Sequence, residues 1–198
     1  ILSIGYNRGS LKINKHRYEN ENQILQISYK NKIYNLRINL IGKVQIKNIL
    51  MAMLAAEKSK LKFKKIVKAI NQIKSVNGRL EKVGNIRNNA KVILDFAHTP
   101  DAIKNSLQNL QDQFVNKKIV IVFGCGGNRD KEKRPQMGKI SNKFCHKIYL
   151  TDDNPRFENP KKIRSTIKKS IKKNKLIEIP AREKAISKAI SNLNSGEI

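Results

Sequence analysis

The sequence predicts an α/β chain: a mainly parallel, Rossmann-like sheet covered by helices on both faces, preceded by a smaller unit of strands and two helices. Three observations predict it. Short apolar runs at 92–94, 119–123, 148–150 and 176–179 alternate with helical patterns, and such βαβα alternation folds as a parallel sheet with crossover helices. Before residue 76 the order differs, with a period of two giving way to a period near 3.6. Between these regions Val76-Asn77-Gly78-Arg79 interrupts the helical pattern and reads as a hinge, so the domains are placed at 1–76 and 77–198.

Residues 1–41 are strand-like. Leu25, Ile27 and Tyr29 alternate with Gln26 and Ser28, and after a polar turn at 30–32 a second run sets Tyr34, Leu36, Ile38 and Leu40 against Asn35, Arg37 and Asn39. The pair forms a hairpin. From Gly42 the period changes: Ile46, Ile49, Leu50, Met53 and Leu54 share one helix face, and Phe63, Ile66, Val67, Ile70 and Ile73 share another. Both stripes read as core. After the hinge and the 92–94 strand, Thr99-Pro100-Asp101 supplies an N-cap, a first-turn proline and a first-turn acid, for a helix burying Ile103, Leu107, Leu110 and Phe114. Further helices are expected at 136–144, 160–171 and 182–193. No terminating strand is visible.

Formal net charge is +27, from 42 Lys and Arg against 15 Asp and Glu. Such a balance ordinarily suggests nucleic acid or an anionic membrane. Here the excess is mostly lysine dispersed along the chain, which is the pattern of a solvated face, and Tyr and Phe are few and scattered. Cys125 and Cys145 stand in no paired spacing, so neither a zinc site nor a disulfide framework is supported and a reduced, cytosolic setting fits. No apolar run approaches the roughly 18 residues of a membrane span. The chain opens on Ile1 within a strand-like pattern and reads as part of a longer protein.

Two runs carry the chemistry. Gly124-Cys125-Gly126-Gly127-Asn128-Arg129-Asp130, with Lys133-Arg134-Pro135 behind it, follows one expected strand; Thr151-Asp152-Asp153-Asn154-Pro155-Arg156 follows the next. Each places an arginine on a loop beyond a strand's carboxyl end, where open α/β sheets bind ligands. Two aimed guanidinium forks suit a small anion, carboxylate or phosphate. The glycines at 124–127 invite a phosphate-loop reading, yet the Lys-Ser/Thr ending and the full Gly-x-Gly-x-x-Gly spacing are missing; the bland alternative is a tight strand-to-helix turn. Asp95-Phe96-Ala97-His98-Thr99-Pro100 is a third such loop. An Asp and a His there are commonly turn residues rather than catalysts, and no Ser/His/Asp or Cys/His set can be assembled.

Taken in order, Gly78-Arg79-Leu80-Glu81, the 95–101 run, the 123–130 run with Lys133-Arg134-Pro135 and Met137-Gly138, and Asp152-Asp153-Asn154-Pro155-Arg156 resemble the Mur ligase family, in particular its members that use meso-diaminopimelate. The resemblance covers nearly the whole chain: the end of the central ATPase domain, then most of the C-terminal domain. It implies ATP-dependent amide-bond formation, in which the terminal carboxylate of a UDP-MurNAc-L-Ala-D-Glu substrate is activated as an acyl phosphate and attacked by the incoming amine, with Mg²⁺ as the metal. Asn48, in a segment where Val44 and Gln45 replace the family's usual Phe and Asn, matches a residue near the adenine. Arg79 and Asp95 match ATP contacts, and Asp95 and His98 are the catalytic candidates. Arg129, Asp153, Asn154, Pro155 and Arg156 match the amino-acid pocket. Phe157 departs from the usual Thr or Ser.

The resemblance also implies that the Gly-Lys-Thr phosphate loop, the carbamylated lysine associated with Mg²⁺ and the UDP-binding domain precede Ile1. A Gly-His-Glu segment is expected to follow Ile198, and the polypeptide alone is not expected to turn over. The expected partners are small molecules, with no nucleic acid, no membrane and a monomeric state. Two alternatives stay open: a folylpolyglutamate-type amide ligase of the same architecture, against which the Asp-Asn-Pro-Arg run speaks, and a basic nucleic-acid-binding module.

Overall fold

The computed structural model describes residues 2–6, 8–86 and 90–198; Ile1 and Asn7 of the strand-like opening stretch lie outside them. Two compact units are formed, residues 1–81 with 112–114, and residues 82–111 with 115–198. The division falls slightly beyond the hinge expected at 76–79. Arg79 N–H donates to the Val76 carbonyl at 3.0 Å and Gly78 N–H to Glu81 Oε2 at 2.7 Å, and these bonds close residues 76–81 into one turn.

In the first unit four strands lie in the order β1 (Ile4–Tyr6), β2 (Leu11–Glu19), β3 (Asn22–Tyr29), β4 (Lys32–Ile38). The β3–β4 hairpin pairs Tyr29 with Lys32 across Lys30 and Asn31, both left-handed at φ 47° and 59°. That is the two-residue turn whose twist matches the strands it joins. Strand β2 was not resolved as a separate element in the sequence because its alternation slips at an irregularity between Ile13 and Lys15. Helices α1 (Lys43–Lys58) and α2 (Phe63–Ile70) set their apolar stripes against the sheet, where Leu25, Ile27, Leu50 and Met53 are almost wholly buried in one cluster. The second helix ends before Ile73, which stays 38% exposed, because Asn71, a poor helix former, closes it. Gln23, fully buried in β3, donates from Nε2 to the Leu40 and Gly42 carbonyls at 2.8 and 3.1 Å, fixing the turn into α1.

In the second unit β5 (Glu81–Asn85) pairs with β6 (Lys91–Leu94), while β7 (Val120–Phe123), β8 (Lys147–Leu150) and β9 (Leu176–Glu178) form a parallel sheet in that order. Four helices follow strands: α3 (Pro100–Gln113), α4 (Lys133–Phe144), α5 (Pro160–Lys168) and α6 (Arg182–Ser191). The α/β class and the parallel pairing agree with the sequence pattern. The expected cap is present, Thr99 Oγ1 accepting Ala102 N–H at 3.2 Å. Helix α4 begins earlier than expected, because Pro135 sits in its first turn, where no amide donor is needed. Helix α5 stops at Lys168, short of 171.

Beyond α6 no further strand forms among the described residues, but the chain end makes an isolated bridge. Glu197 bridges Lys118 in parallel, Ile198 N–H donates to the Lys118 carbonyl at 2.9 Å, and Val120 N–H donates to Ile198 at 2.7 Å. Residues 196–198 thus run beside the start of β7. The stretch is too short to show a period, so only the pairing reveals it.

Candidate functional site

The parallel sheet aims the loops after β7 and β8 to the same rim, and their backbones are joined there. Gly127 N–H donates to the Asn154 carbonyl at 2.8 Å, Phe157 N–H to Asn128 Oδ1 at 3.0 Å, and Arg156 Nη1 to the Gly127 carbonyl at 2.7 Å. Two glycines make this approach possible. A Cβ on Gly124 would overlap the Thr151 carbonyl oxygen, and one on Gly127 would overlap that of Pro155. The glycines therefore admit the neighbouring backbone, a packing reason for them that neither reading of the 124–127 run supplied. Cys125 within it is a buried thiol whose Sγ lies 3.5 Å from Met137 Sδ. Burial pushes its pKa up to about 11, which disfavours the thiolate that a nucleophile needs.

Arg156 sits at φ 49°, a left-handed conformation that costs an ordinary residue about 1 kcal/mol. Its backbone N–H donates to Asn154 Oδ1 at 3.3 Å. Arg129 follows Asn128, which shares φ 49° and is bonded to Phe157. Both arginines are exposed, and among the described residues neither has an ion-pair partner. Two uncompensated cations thus stand on loops sewn together. Asp153 is also exposed, with Arg182 Nη1 3.8 Å from its Oδ1, and Pro155 is half-buried between them. Phe157 stands 97% exposed beside Arg156.

Three further groups hold these loops, and sequence reasoning did not assign them. Arg134, only 3% exposed, chelates Glu158 through two bonds of 3.0 and 2.9 Å and donates to the Gly126 carbonyl at 3.2 Å. Glu158 Oε1 also accepts Asn128 N–H at 2.5 Å. Arg164, 7% exposed on α5, pairs with Asp152 and, at 2.8 Å, with Glu178. The available signal was periodicity: Arg134 shares the buried face of α4 with Met137, Gly138 and Ser141, and Arg164 that of α5 with Ile163 and Ile167. An arginine on a buried stripe requires an acid to meet it.

The Arg134 fork and the Asn128 N–H hold the Glu158 carboxyl down to about 2 from its ordinary 4.5. A depressed carboxyl contributes stability above its unfolded pKa and loses it as pH falls through the folded value. The stability gap between wild type and Glu158→Gln is therefore expected to narrow as pH falls from 4.5 toward 2. Calorimetric melting at several pH values measures it, and a gap independent of pH would contradict the assignment.

Asp95 directly follows β6 and accepts Ala97 N–H at 2.7 Å; His98 donates from Nδ1 to the Phe96 carbonyl at 3.0 Å, leaving Nε2 on an exposed ring. Lys133 Nζ donates to the His98 carbonyl at 3.2 Å, which ties this loop to the start of α4. Asn48 and Arg79 belong to the first unit. Asn48 donates from Nδ2 to Gln45 Oε1 at 3.3 Å, and both line an apolar cavity of about 630 Å³ between α1 and α2. Arg79 is exposed on the turn before β5. No group of three or more His, Cys, Asp or Glu side chains among the described residues is placed to hold a metal ion.

A family profile of the Mur ligase glutamate ligase domain matches residues 78–198. A UDP-N-acetylmuramoyl-L-alanyl-D-glutamate–2,6-diaminopimelate ligase of Rickettsia typhi is 39% identical over 199 residues, covering 100% of this chain and 39% of that protein. The protein of the same name in Chelativorans is 36% identical over 197 residues, with 40% of its length covered. A solved structure of a ligase with that name matches 98% of this chain and 39% of its own at TM-score 0.71 and 27% identity. The UDP-N-acetylmuramate-alanine ligase of Thermotoga maritima shares the fold at TM-score 0.75 and 20% identity, over 99% of this chain and 43% of its own. The chain spans about 40% of the length of the curated relatives it matches.

Proposed function

This chain belongs to the Mur ligase family, and on that premise we propose that it supplies the amino-acid-selecting part of an ATP-dependent ligase joining meso-diaminopimelate to UDP-N-acetylmuramoyl-L-alanyl-D-glutamate. The observation that carries the reading is the pair of uncompensated guanidinium groups, Arg129 and Arg156, on loops bonded through Gly127, Asn128, Asn154 and Phe157. Diaminopimelate differs from lysine by a carboxylate at its far end. A planar fork pairs bidentately with that group, and Asp153 beside it suits the neighbouring ammonium.

ATP supplies the phosphoryl group that activates the terminal carboxylate of the UDP-linked dipeptide. This chain's residues orient the amine that attacks the acyl carbon of the acyl phosphate and expels inorganic phosphate, and positioning of that kind, with cationic screening of phosphoryl charge, is the main protein contribution in such reactions. Asn48, Arg79 and Asp95 are assigned to the nucleotide, with Asp95 and His98 as catalytic candidates. The described side chains offer no metal cage, so no step through Mg²⁺ is assigned to them. We place the reaction in the cytoplasm, where ATP and UDP-linked precursors occur; no helix among the described residues is long and apolar enough to cross a membrane.

The test measures amide-bond formation by the protein carrying this chain, with ATP and the UDP-linked dipeptide. The kcat/KM for meso-diaminopimelate is expected to exceed that for L-lysine by about 10⁴ or more, since substrate binding desolvates the exposed guanidinium and an analogue lacking the second carboxylate leaves it unpaired. Equal use of both amino acids overturns the assignment.

A further inference from the structure

The backbone around Arg156 is held by side chains far less exposed than its own. Arg156 occupies a left-handed backbone conformation, as does Asn128 on the facing loop, and an ordinary side chain persists there only where its surroundings over-determine it. Bonds from Glu158 do so here. Glu158 Oε1 accepts Asn128 N–H at 2.5 Å, and Asn128 Oδ1 in turn accepts Phe157 N–H at 3.0 Å. Both Glu158 oxygens are gripped by Arg134 at 2.9 and 3.0 Å, and the same guanidinium reaches the Gly126 carbonyl at 3.2 Å. One buried fork therefore ties three points: the first loop at Gly126, the same loop at Asn128 through the shared acid, and the second loop just past Arg156.

The pair is also electrically closed. The Arg134 side chain is 4% exposed, and Glu158 is its ion-pair partner, while Nε is buried with no hydrogen-bond partner among the described residues. Removing the carboxylate charge leaves a buried cation with only neutral acceptors, the Gly126 carbonyl among them. The fork must then be rehydrated or move, and the loops it holds move with it.

We propose that the Arg134–Glu158 pair is a positioning element for amino-acid selection: by fixing the backbone on both sides of Arg156 it aims that guanidinium at the second carboxylate of the incoming amino acid. The proposal rests on the diaminopimelate reading above. It places part of the specificity in a buried arginine and its partly buried acid rather than in the exposed arginine alone, and it predicts that discrimination fails before the chemistry does.

The test compares wild type, Glu158→Gln and Arg134→Lys in the ligase reaction. Glu158→Gln keeps shape and one acceptor but removes the charge; Arg134→Lys keeps the charge but removes the fork. In both, KM for meso-diaminopimelate is expected to rise between about 10- and 100-fold, with kcat at saturation and KM for ATP within about twofold, because a small misaiming of a binding group costs that much. The preference over L-lysine should fall by the same factor. Amide exchange at Asn128 and Phe157, followed without ligand, should accelerate in both variants. A merely structural pair lowers the melting temperature and leaves the preference where it was, and that result overturns the proposal; should one variant fail to fold, the other decides. Exchange does not depend on which amino acid is used. A wild-type protein without preference for diaminopimelate removes the substrate reading, and unchanged exchange at those two amides then overturns the brace on its own terms.

Discussion

Replacing Arg156 by Ala is expected to raise KM for meso-diaminopimelate steeply and to abolish most of the roughly 10⁴-fold margin over L-lysine, while lysine itself is used no worse. The asymmetry follows from which partner is lost. In wild type, a bound lysine leaves a guanidinium without its carboxylate; in Arg156→Ala, it is diaminopimelate whose charged end goes unmatched. Truncation also frees the Gly127 carbonyl that Arg156 Nη1 bonds at 2.7 Å, but this carbonyl can turn to water on an exposed loop. Initial-rate kinetics with both amino acids measure the margin. An unaltered margin removes Arg156 from the pocket.

The second large effect is steric. Gly127→Ala is expected to destabilise the second unit by about 3 kcal/mol or more, since the added Cβ meets rigid backbone rather than a side chain that can rotate away. The atom in its way is the Pro155 carbonyl oxygen, so the loops must part and the Gly127 N–H to Asn154 bond must break with them. Gly84→Ala in β5 is the control, because a Cβ there meets nothing within 4 Å; it should be neutral or slightly stabilising. Urea unfolding of the two variants measures the contrast. Similar midpoints would mean that the loops do not pack as closely as the Gly127 geometry requires.

Much of the architecture was legible because it follows local periods. The alternation of Leu25, Ile27 and Tyr29 gave β3, the stripe from Ile46 to Leu54 gave α1, and Thr99-Pro100-Asp101 marked the start of α3. The misses sit where local preference yields to pairing or to a single residue: the irregular β2, the C-terminal residues beside β7, and a second helix stopped by Asn71. The candidate site was legible as motifs in order. Its buried half was not, since an arginine inside Lys-Arg-Pro and a glutamate after Phe157 look like surface charge until a partner is found.

By itself the sequence determined the family and the α/β class and put two arginines on the loops after β7 and β8, because strand and helix periods and motif spacing are local properties of the chain. Only the tertiary structure decided why the glycines are there, what holds Arg156 in a left-handed conformation, and that Arg134 faces Glu158 rather than solvent. Those depend on residues about two dozen positions apart meeting at one sheet rim, and no local pattern encodes the distance between two loops until parallel pairing brings their strands side by side.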